Sequence, residues 1–480
     1  MTPPAIVNPF LHLQRHADEN PQGVFSRTAD TVVTYAEAVV SAKRLAYELR
    51  RLGVQPGHVV ALDLPDRLGI VFTEAVYHEA AVSTVLPEGY PLDAAVTPDW
   101  VFTTRPAVHE GRAQVVEVDA RFLQLVEQNP YGIEPRPEPI DTLRIVFSSG
   151  TTGTPKAIAL GGAMEAIMDM ALPMWFAAGP NLSLMDVGTP VGIGEFFLSV
   201  KAGHPFLCAG NATQQEIVRL ASDGRVGSLR GSPAQVAALV GELEAQGRTL
   251  PDVRVAVVSG TVLPVGLAER LLRATEGCMI ITNYGSTEAG GATVRRDGFT
   301  DPFDAGHVSP GSVVEIVDEN DVPVADGVEG RVRHRAPGMA TGYLNDLEAT
   351  ARFFTDGWFY PGDRGFFRPD GGLTLSGRES ELLNAGGVKV DPLRIDQVAL
   401  AWDGVIDACS FEYLDRSDVA RVGLVLVTED VIDIEGLVAA LTAAFSTAAP
   451  SLVARVEQVP RTVTGKPLRR VLADRYRETA

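Results

Sequence analysis

Residues 145–160 read IVFSSGTTGTPKAIAL, two apolar runs joined by a loop of serine, threonine and glycine. The apolar runs predict buried strands, and the loop ends at Lys156. Glycines let backbone N–H groups converge on anionic oxygens, while hydroxyls add donors and a lysine adds charge. We therefore predict a phosphate-binding loop that consists of Ser148, Ser149, Gly150, Thr151, Thr152, Gly153, Thr154 and Lys156.

This loop differs from the P-loop of kinases and GTPases, in which Gly-Lys precedes Ser or Thr and then a helix. Lys156 follows Pro155 and precedes Ala157. The second Thr-Gly-Lys, at 464–466, is followed by Pro467. Neither segment predicts a P-loop.

The pattern around the loop indicates an α/β fold. Apolar residues at helical spacing predict a helix over 34–49, with Thr34 and Glu37 as a capping box and Gly53 just past its end. A strand is expected from His58 and a helix over 69–81. Similar alternation continues to about residue 290 and predicts a large α/β domain.

The pattern of predicted secondary structure changes twice towards the C-terminus. From Gly311 short strands and turns predict a β-rich lobe, and the last hundred residues alternate again as in a small α+β domain. We place the boundary near Gly377, which divides the chain into an N-terminal domain of 1–376 and a C-terminal domain of 377–480. A chain of 480 residues also exceeds what a single core of ~250 to 300 residues supports.

Composition excludes several classes of partner. A formal net charge of −20 disfavours nucleic acid and anionic membranes. No apolar run reaches the ~18 residues of a membrane helix, and the first residues carry no secretion signal, so we expect a cytoplasmic protein. The three cysteines lie far apart and form neither a metal-ligand pattern nor a disulfide framework: Cys208, Cys278 and Cys409.

Further segments recur in a fixed order after the serine-rich loop. They are NYGSTE at 283–288, GWFYPGD at 357–363, SGRESELLNAGG at 376–387 and PRTVTGKPLRR at 460–470. Together with the helix that begins TYAEA, these segments resemble the superfamily of adenylate-forming enzymes, which includes acyl-CoA synthetases, peptide-synthetase adenylation domains and firefly luciferase. The resemblance spans nearly the whole chain and implies a large N-terminal domain and a small, mobile C-terminal domain.

The resemblance implies an ATP site. Asp363 would accept the ribose hydroxyls, Arg378 would touch the same nucleotide, and Glu288 would bind Mg²⁺. The remaining contacts implied for adenine and phosphates are Ser259, Gly260, Thr261, Asn283, Tyr284, Gly285, Ser286 and Thr287. Thr287 and Glu288 are also expected to act in catalysis.

Lys466 matches the family lysine that enters the site for adenylation. A cation there would stabilise the charge that builds up when a carboxylate attacks the α-phosphate. Domain rotation would then admit the thiol of coenzyme A, or the phosphopantetheine of a carrier protein, along a channel beside Ala385, Gly386 and Gly387. The chain departs from the family pattern at the hinge, where Ser380 replaces the usual Asp or Lys.

The expected substrate pocket lacks the acidic residue that would pair with the ammonium group of an amino acid. Amino-acid-activating relatives place an aspartate about five residues before a Glu-Phe-Phe segment, where this chain has Pro190, and Asp186 lies further back. An unpaired ammonium in a closed pocket is costly, so an α-amino acid is disfavoured. Family analogy assigns the pocket to small or apolar residues that suit an aryl or aliphatic acid: Val191, Gly192, Gly290, Gly291 and Ala292.

Three functions remain open from the sequence. The first is an acid:CoA ligase, which the resemblance favours. The second is an adenylation enzyme that loads an acyl carrier protein. The third is a non-catalytic nucleotide-binding relative, which predicts loss of Lys466, Glu288 or the glycine-rich loop, all of which are present.

Overall fold

The structure, a computed structural model, describes residues 8–92, 94–112, 114–148, 155–161, 179–210, 212–296, 298–378, 381–385, 387–415, 417, 419–428, 432–461 and 466–476. Its α-helices in these ranges are α1 (Pro9–Glu19), α2 (Tyr35–Leu52), α3 (Asp66–His78), α4 (Ala120–Gln128), α5 (Pro190–Ala202), α6 (Gln214–Asp223), α7 (Pro233–Gln246), α8 (Val265–Ala274), α9 (Leu347–Phe353), α10 (Pro392–Leu400), α11 (Ile434–Phe445) and α12 (Arg469–Tyr476).

The strands up to the β-rich lobe are β1 (Val24–Arg27), β2 (Val32–Thr34), β3 (Val59–Asp63), β4 (Val82–Thr84), β5 (Trp100–Thr103), β6 (Gln114–Glu117), β7 (Thr142–Ser148), β8 (Lys156–Gly161), β9 (Asn181–Ser183), β10 (Phe206–Cys208), β11 (Ser228–Gly231), β12 (Val255–Val258) and β13 (Met279–Ser286). The later strands are β14 (Gly290–Arg295), β15 (Asp304–Val308), β16 (Val313–Val317), β17 (Gly330–Arg335), β18 (Phe354–Thr355), β19 (Trp358–Phe359), β20 (Asp363–Phe367), β21 (Leu373–Arg378), β22 (Leu383–Ala385), β23 (Val388–Val390), β24 (Val405–Leu414), β25 (Ala420–Thr428) and β26 (Leu452–Arg455).

The first sheet has the order β6-β5-β3-β4-β7-β8, parallel except for the antiparallel pair β7-β8. Helix α2 confirms the sequence prediction, since Thr34 and Glu37 form the capping box and Gly53 ends the helix at φ 106°. Helix α3 begins and ends three residues before the predicted bounds. The backbone of Ala80 turns to φ 53°, which a continuing helix does not allow.

The second sheet combines a parallel region and an antiparallel region. Strands β1, β10, β9, β11, β12 and β13 are parallel neighbours in that order. From β13 the sheet continues antiparallel through β14, β15, β21, β20 and β17. These strands form a β-rich lobe that begins at Gly290, earlier than the expected Gly311. The carboxyl ends of the parallel strands therefore meet at one edge, where α/β proteins bind ligands.

The last hundred residues have their own sheet and core. Strands β24 and β25 are antiparallel and β26 joins β25 in parallel, while β22 and β23 form a separate hairpin. Two hydrophobic clusters there draw only on residues from Leu383 onwards. This arrangement confirms the predicted α/β fold class with a β-rich lobe and a small α+β unit. The boundary near Gly377 stays a prediction.

Among the described helices, none is long and apolar enough to cross a lipid bilayer.

Candidate active site

The predicted nucleotide motifs lie at the carboxyl ends of two adjacent parallel strands. Ser259, Gly260 and Thr261 follow β12, and Gly260 takes a φ of 101° that favours glycine. Asn283 to Ser286 form the end of β13, which pairs with β12. The Ser259 hydroxyl is buried and has no hydrogen-bond partner among the described residues, so a polar group is available at this edge.

The turn after β13 depends on glycine. A Cβ atom on Gly285 would clash with the carbonyl oxygen of Gly290, and Gly290 itself takes a φ of 73°. The Ser286 hydroxyl accepts a hydrogen bond from the Ala289 N–H at 3.1 Å. This tight turn holds Thr287 and Glu288 at the edge of the sheet.

Asp363, Tyr284 and Arg378 form one hydrogen-bonded group. Asp363 is 6% exposed and begins β20. The Tyr284 hydroxyl donates to its Oδ2 at 2.6 Å, while Arg378 donates to Oδ1 from Nε at 2.6 Å and to Oδ2 from Nη2 at 3.2 Å. Burial raises the pKa of Tyr284 well above its usual range, as does the Asp363 charge, so the phenol keeps its proton. The structure thus brings together three residues that the sequence assigned to the nucleotide.

A buried imidazole packs beside this group. His334 on β17 is fully buried, and its ring lies 6.3 Å from that of Tyr284 and 5.6 Å from that of Phe359. Neither ring nitrogen has a hydrogen-bond partner among the described residues. Burial lowers the pKa of His334 to about 4, despite the opposing charge of Asp363. The imidazole is therefore neutral at pH 7 and supports Tyr284 by packing.

Glu288 has a partner that the sequence did not reveal. The Tyr343 hydroxyl donates to its Oε1 at 2.9 Å, and both side chains are nearly buried. Burial raises the pKa of Tyr343 above its usual range, as does the Glu288 charge. The Nζ of Lys156 lies 5.4 Å from the centroid of the Tyr343 ring and 4.6 Å from the centroid of the Phe353 ring. Tyr343 therefore connects the predicted metal ligand to the lysine that ends the glycine-rich loop.

The charge of Lys466 interacts with Arg378, Asp363 and Glu288. Burial lowers its pKa, and the nearby positive charge of Arg378 lowers it further. The carboxylates of Glu381, Asp363 and Glu288 act in the opposite direction. The C-terminal lysine and the N-terminal residues are thus close together in this structure, although about a hundred residues or more separate Lys466 from Asp363 and Glu288 in the chain.

Part of the predicted phosphate loop lies within the described residues. Ser148 and Lys156 are paired across the antiparallel strands β7 and β8, so the loop between them joins two neighbouring strand ends. The hinge residue Ser380 and Gly386 lie outside the described part of the chain. So do the other predicted loop residues, which are Ser149, Gly150, Thr151, Thr152, Gly153 and Thr154.

The predicted pocket residues fall in two places. Val191 and Gly192 lie in the first turn of α5, and a Cβ atom on Gly192 would clash with the carbonyl oxygen of Asp186. Gly290 and Gly291 begin β14, with Gly291 exposed, whereas Ala292 is fully buried within the core of the β-rich lobe. Asp186 accepts a hydrogen bond from the Gly188 N–H at 2.5 Å.

A metal site with three or more protein ligands is not present among the described residues. Mg²⁺ normally needs only one or two carboxylates, because phosphates and water complete its octahedral shell. Glu288 fits this requirement. Tyr343 binds its Oε1, so Oε2 is the oxygen suited to a cation.

Comparison with known proteins gave matches over most of the chain. The family model described as AMP-binding enzyme matches residues 13–344. A medium/long-chain-fatty-acid–[acyl-carrier-protein] ligase of Mycobacterium tuberculosis is 29% identical over 360 residues, which cover 69% of this chain and 66% of that protein. The alignment thus spans just under two thirds of the relative's length.

Two further matches extend over more of the chain. The 2-hydroxy-7-methoxy-5-methyl-1-naphthoate–CoA ligase of Streptomyces carzinostaticus is 26% identical over 482 residues, covering 87% of this chain and 83% of that ligase. The crystal structure of ATP-bound MatB from Rhodopseudomonas palustris superimposes with a TM-score of 0.82 at 22% identity, covering 98% of this chain and 99% of that one. At this identity the structural match supports the fold.

Proposed function

Because the chain belongs to the AMP-binding enzyme family, we propose that it uses ATP to activate a carboxylic acid as acyl-AMP, releases pyrophosphate and transfers the acyl group to the thiol of coenzyme A. The observation that carries this proposal is the hydrogen-bonded group of Tyr284, Asp363 and Arg378 at the end of β13. The charge of Lys466 interacts with Arg378, Asp363 and Glu288. In this proposal Asp363 is the ribose acceptor, Glu288 the metal ligand and Lys466 the cation of one site.

In this proposal Asp363 binds the ribose hydroxyls. Its carboxylate has about four lone-pair positions, and Tyr284 and Arg378 already occupy three of them. Two ribose hydroxyls therefore need one of these contacts to open. The longest, from Arg378 Nη2 at 3.2 Å, is the one that would be released. Arg378 could then turn that nitrogen towards the nucleotide.

Adenylation needs positive charge near the α-phosphate. The acid carboxylate and the phosphate repel each other, and charge spreads over the phosphoryl oxygens in the transition state. Lys466 is partly buried beside Arg378, and such a cation stabilises developing charge more strongly than an exposed one does. Mg²⁺, held by Glu288 when bound, would neutralise phosphate charge. Thr287, Lys156 and the glycine-rich loop would donate hydrogen bonds to the phosphates.

The proposed substrate is an aryl or aliphatic acid and not an α-amino acid. Asp186, the nearest acidic residue before α5, is engaged with the Gly188 N–H. The position five residues before Glu195 is Pro190, which offers no charge for an ammonium group. Val191 and Gly192 add only apolar or backbone surface.

A second acceptor is favoured by one finding. The Mycobacterium tuberculosis relative is named as a ligase that acts on an acyl carrier protein, so the phosphopantetheine thiol of such a protein is the alternative to coenzyme A. Ala385 and Gly387 flank the proposed thiol channel, and Gly387 takes a φ of 99° and donates its N–H to Asn384 Oδ1 at 2.7 Å.

The test is product analysis by mass spectrometry. The purified protein is incubated with ATP, Mg²⁺ and a panel of aryl, aliphatic and amino acids, with and without coenzyme A. Acyl-CoA and AMP from an aryl or aliphatic acid are expected. Acyl-AMP that accumulates without acyl-CoA would favour the carrier-protein acceptor, and no AMP with any acid would refute the proposed function.

A further inference from the structure

A fully buried arginine joins the six-stranded sheet to the segment before α5. Arg144 lies on β7 and is 1% exposed. It donates from Nη1 to the Ser83 hydroxyl at 3.2 Å and from Nη2 to the carbonyl oxygen of Val187 at 3.0 Å. The Ser83 hydroxyl is itself 2.8 Å from the hydroxyl of Tyr77. The guanidinium thus spans from the six-stranded sheet to the segment that precedes α5.

Stability alone does not account for this arginine. Within the described residues it forms no ion pair, and its Nε has no hydrogen-bond partner. Burial lowers the pKa of Arg144, whereas Tyr77 and the carboxylate of Asp186 act in the opposite direction. A buried charge has a desolvation cost, which hydrogen bonds to neutral groups offset only in part. The bonds of Arg144 to two separate segments instead indicate a role in geometry.

The two segments that Arg144 joins each lead to a different part of the site. Four residues beyond Arg144, β7 ends at Ser148, where the proposed phosphate loop begins. Two residues beyond Val187, Thr189 caps α5 by accepting a hydrogen bond from the Gly192 N–H. The contact between Arg144 and Val187 thus links strand β7 to the segment that leads into the helix turn with Val191 and Gly192.

The middle of α5 is held separately by the other sheet. Glu195 is 2% exposed and pairs with Arg230 of β11 at 2.8 Å, while Asn181 of β9 donates to its Oε2 at 2.6 Å. The large sheet therefore holds the middle of α5, whereas Arg144 connects the segment before the first turn of α5 to the six-stranded sheet.

We propose that Arg144 is a positioning residue for the acid substrate: it sets the distance between the first turn of α5 and the end of β7 at Ser148, so that the bound carboxylate faces the α-phosphate. This inference rests on the proposed function. A shift of about 1 Å in a reacting group can cost up to a hundredfold in rate. Because the arginine reaches the acid through α5, its loss should affect the acid more than ATP.

The experiment compares Arg144→Met, Arg144→Lys and a control, Arg136→Met, in the full-length protein. Arg136, in the connection between α4 and β7, pairs with the buried carboxylate of Glu79 at the end of α3 at 3.2 Å, and neither residue is a candidate site residue. KM for the acid, KM for ATP, kcat and Tm are measured with an acid that the wild-type protein converts. Methionine approximates the volume of the side chain but has no hydrogen-bond donor. Lysine keeps the positive charge but lacks the second nitrogen that lets Arg144 donate to both Ser83 and Val187.

For Arg144→Met we expect a rise of at least about tenfold in the KM of the acid, an ATP KM within about twofold of wild type and a Tm close to that of wild type, because loss of two hydrogen bonds opposes removal of the buried charge. The lysine variant should lie between this variant and wild type, and Arg136→Met should keep both KM values. Equal changes in both KM values, or an unchanged acid KM in a folded Arg144→Met protein, would overturn the inference. Failure of the wild-type protein to release AMP with any acid would instead overturn the proposed function itself.

Discussion

The hydrogen bond between Tyr343 and Glu288 offers a sharp test of the candidate metal site. Tyr343→Phe removes only the hydroxyl. The ring keeps its contacts with Phe353 and Phe354, at centroid distances of 6.1 and 5.5 Å, and with the Lys156 ammonium at 5.4 Å. What is lost is the 2.9 Å bond that orients Oε1 of Glu288.

The size of the effect follows from the burial of both groups. Tyr343 is 7% and Glu288 8% exposed, and a hydrogen bond to a charged group contributes about 1.5 to 3 kcal/mol. If that energy orients the carboxylate for Mg²⁺, kcat/KM for MgATP should fall by roughly ten- to a hundredfold. The Mg²⁺ concentration for half-maximal activity should rise, since a misoriented carboxylate binds the cation less well.

The assay is acid-dependent exchange of pyrophosphate into ATP, measured across a range of Mg²⁺ concentrations. Tyr413→Phe is the matched control, because Tyr413 is also 7% exposed and its hydroxyl lies 3.0 Å from the Ser451 hydroxyl in the core of the C-terminal unit. Tyr413→Phe should lose about 1 kcal/mol of stability and Tyr343→Phe about 1.5 to 3 kcal/mol, because only Tyr343 bonds to a charged group. Equal exchange rates and equal Mg²⁺ dependence in the two variants would refute the role given to Tyr343.

Three further predictions address single residues. Asp363→Asn should raise the KM of ATP by about tenfold or more with little change for the acid, as measured by initial rates; an unchanged ATP KM would contradict the ribose role. Lys466→Ala should lower ATP-dependent activation by about a hundredfold but spare thioester formation from presynthesised acyl-AMP, with the exposed Arg470→Ala as control; equal loss in both reactions would oppose the assignment. Glu74 is fully buried, and burial raises its pKa from the ordinary value of 4.5 to about 8. Between these two pH values the folded state keeps a proton that the unfolded state releases, so stability falls as the pH rises. Glu74→Gln should therefore gain more stability in urea unfolding at pH 8 than at pH 5, and an equal change at both would refute the burial argument.

Several features of this protein were determined by local sequence. Helix α2 could be predicted because its capping box, apolar spacing and final glycine all lie within twenty residues of one another. The order of the motifs also predicted the family, which the match over residues 13–344 confirms. Such features depend on neighbours in the chain, and neighbours are visible in a sequence. The end of α3 was predicted less well, since the reversal at Ala80 has no glycine to mark it.

The partners of the site residues were decided by tertiary structure alone. Tyr284 meets Asp363 across 79 residues and Glu288 meets Tyr343 across 55. Arg144 reaches Val187 across 43 residues, from one sheet to the segment before α5. No periodicity or motif links such positions, because the order of strands in the sheets sets which side chains meet. The sequence by itself determined which residues could carry the chemistry, whereas the packing of the sheets decided which side chains hold them in place.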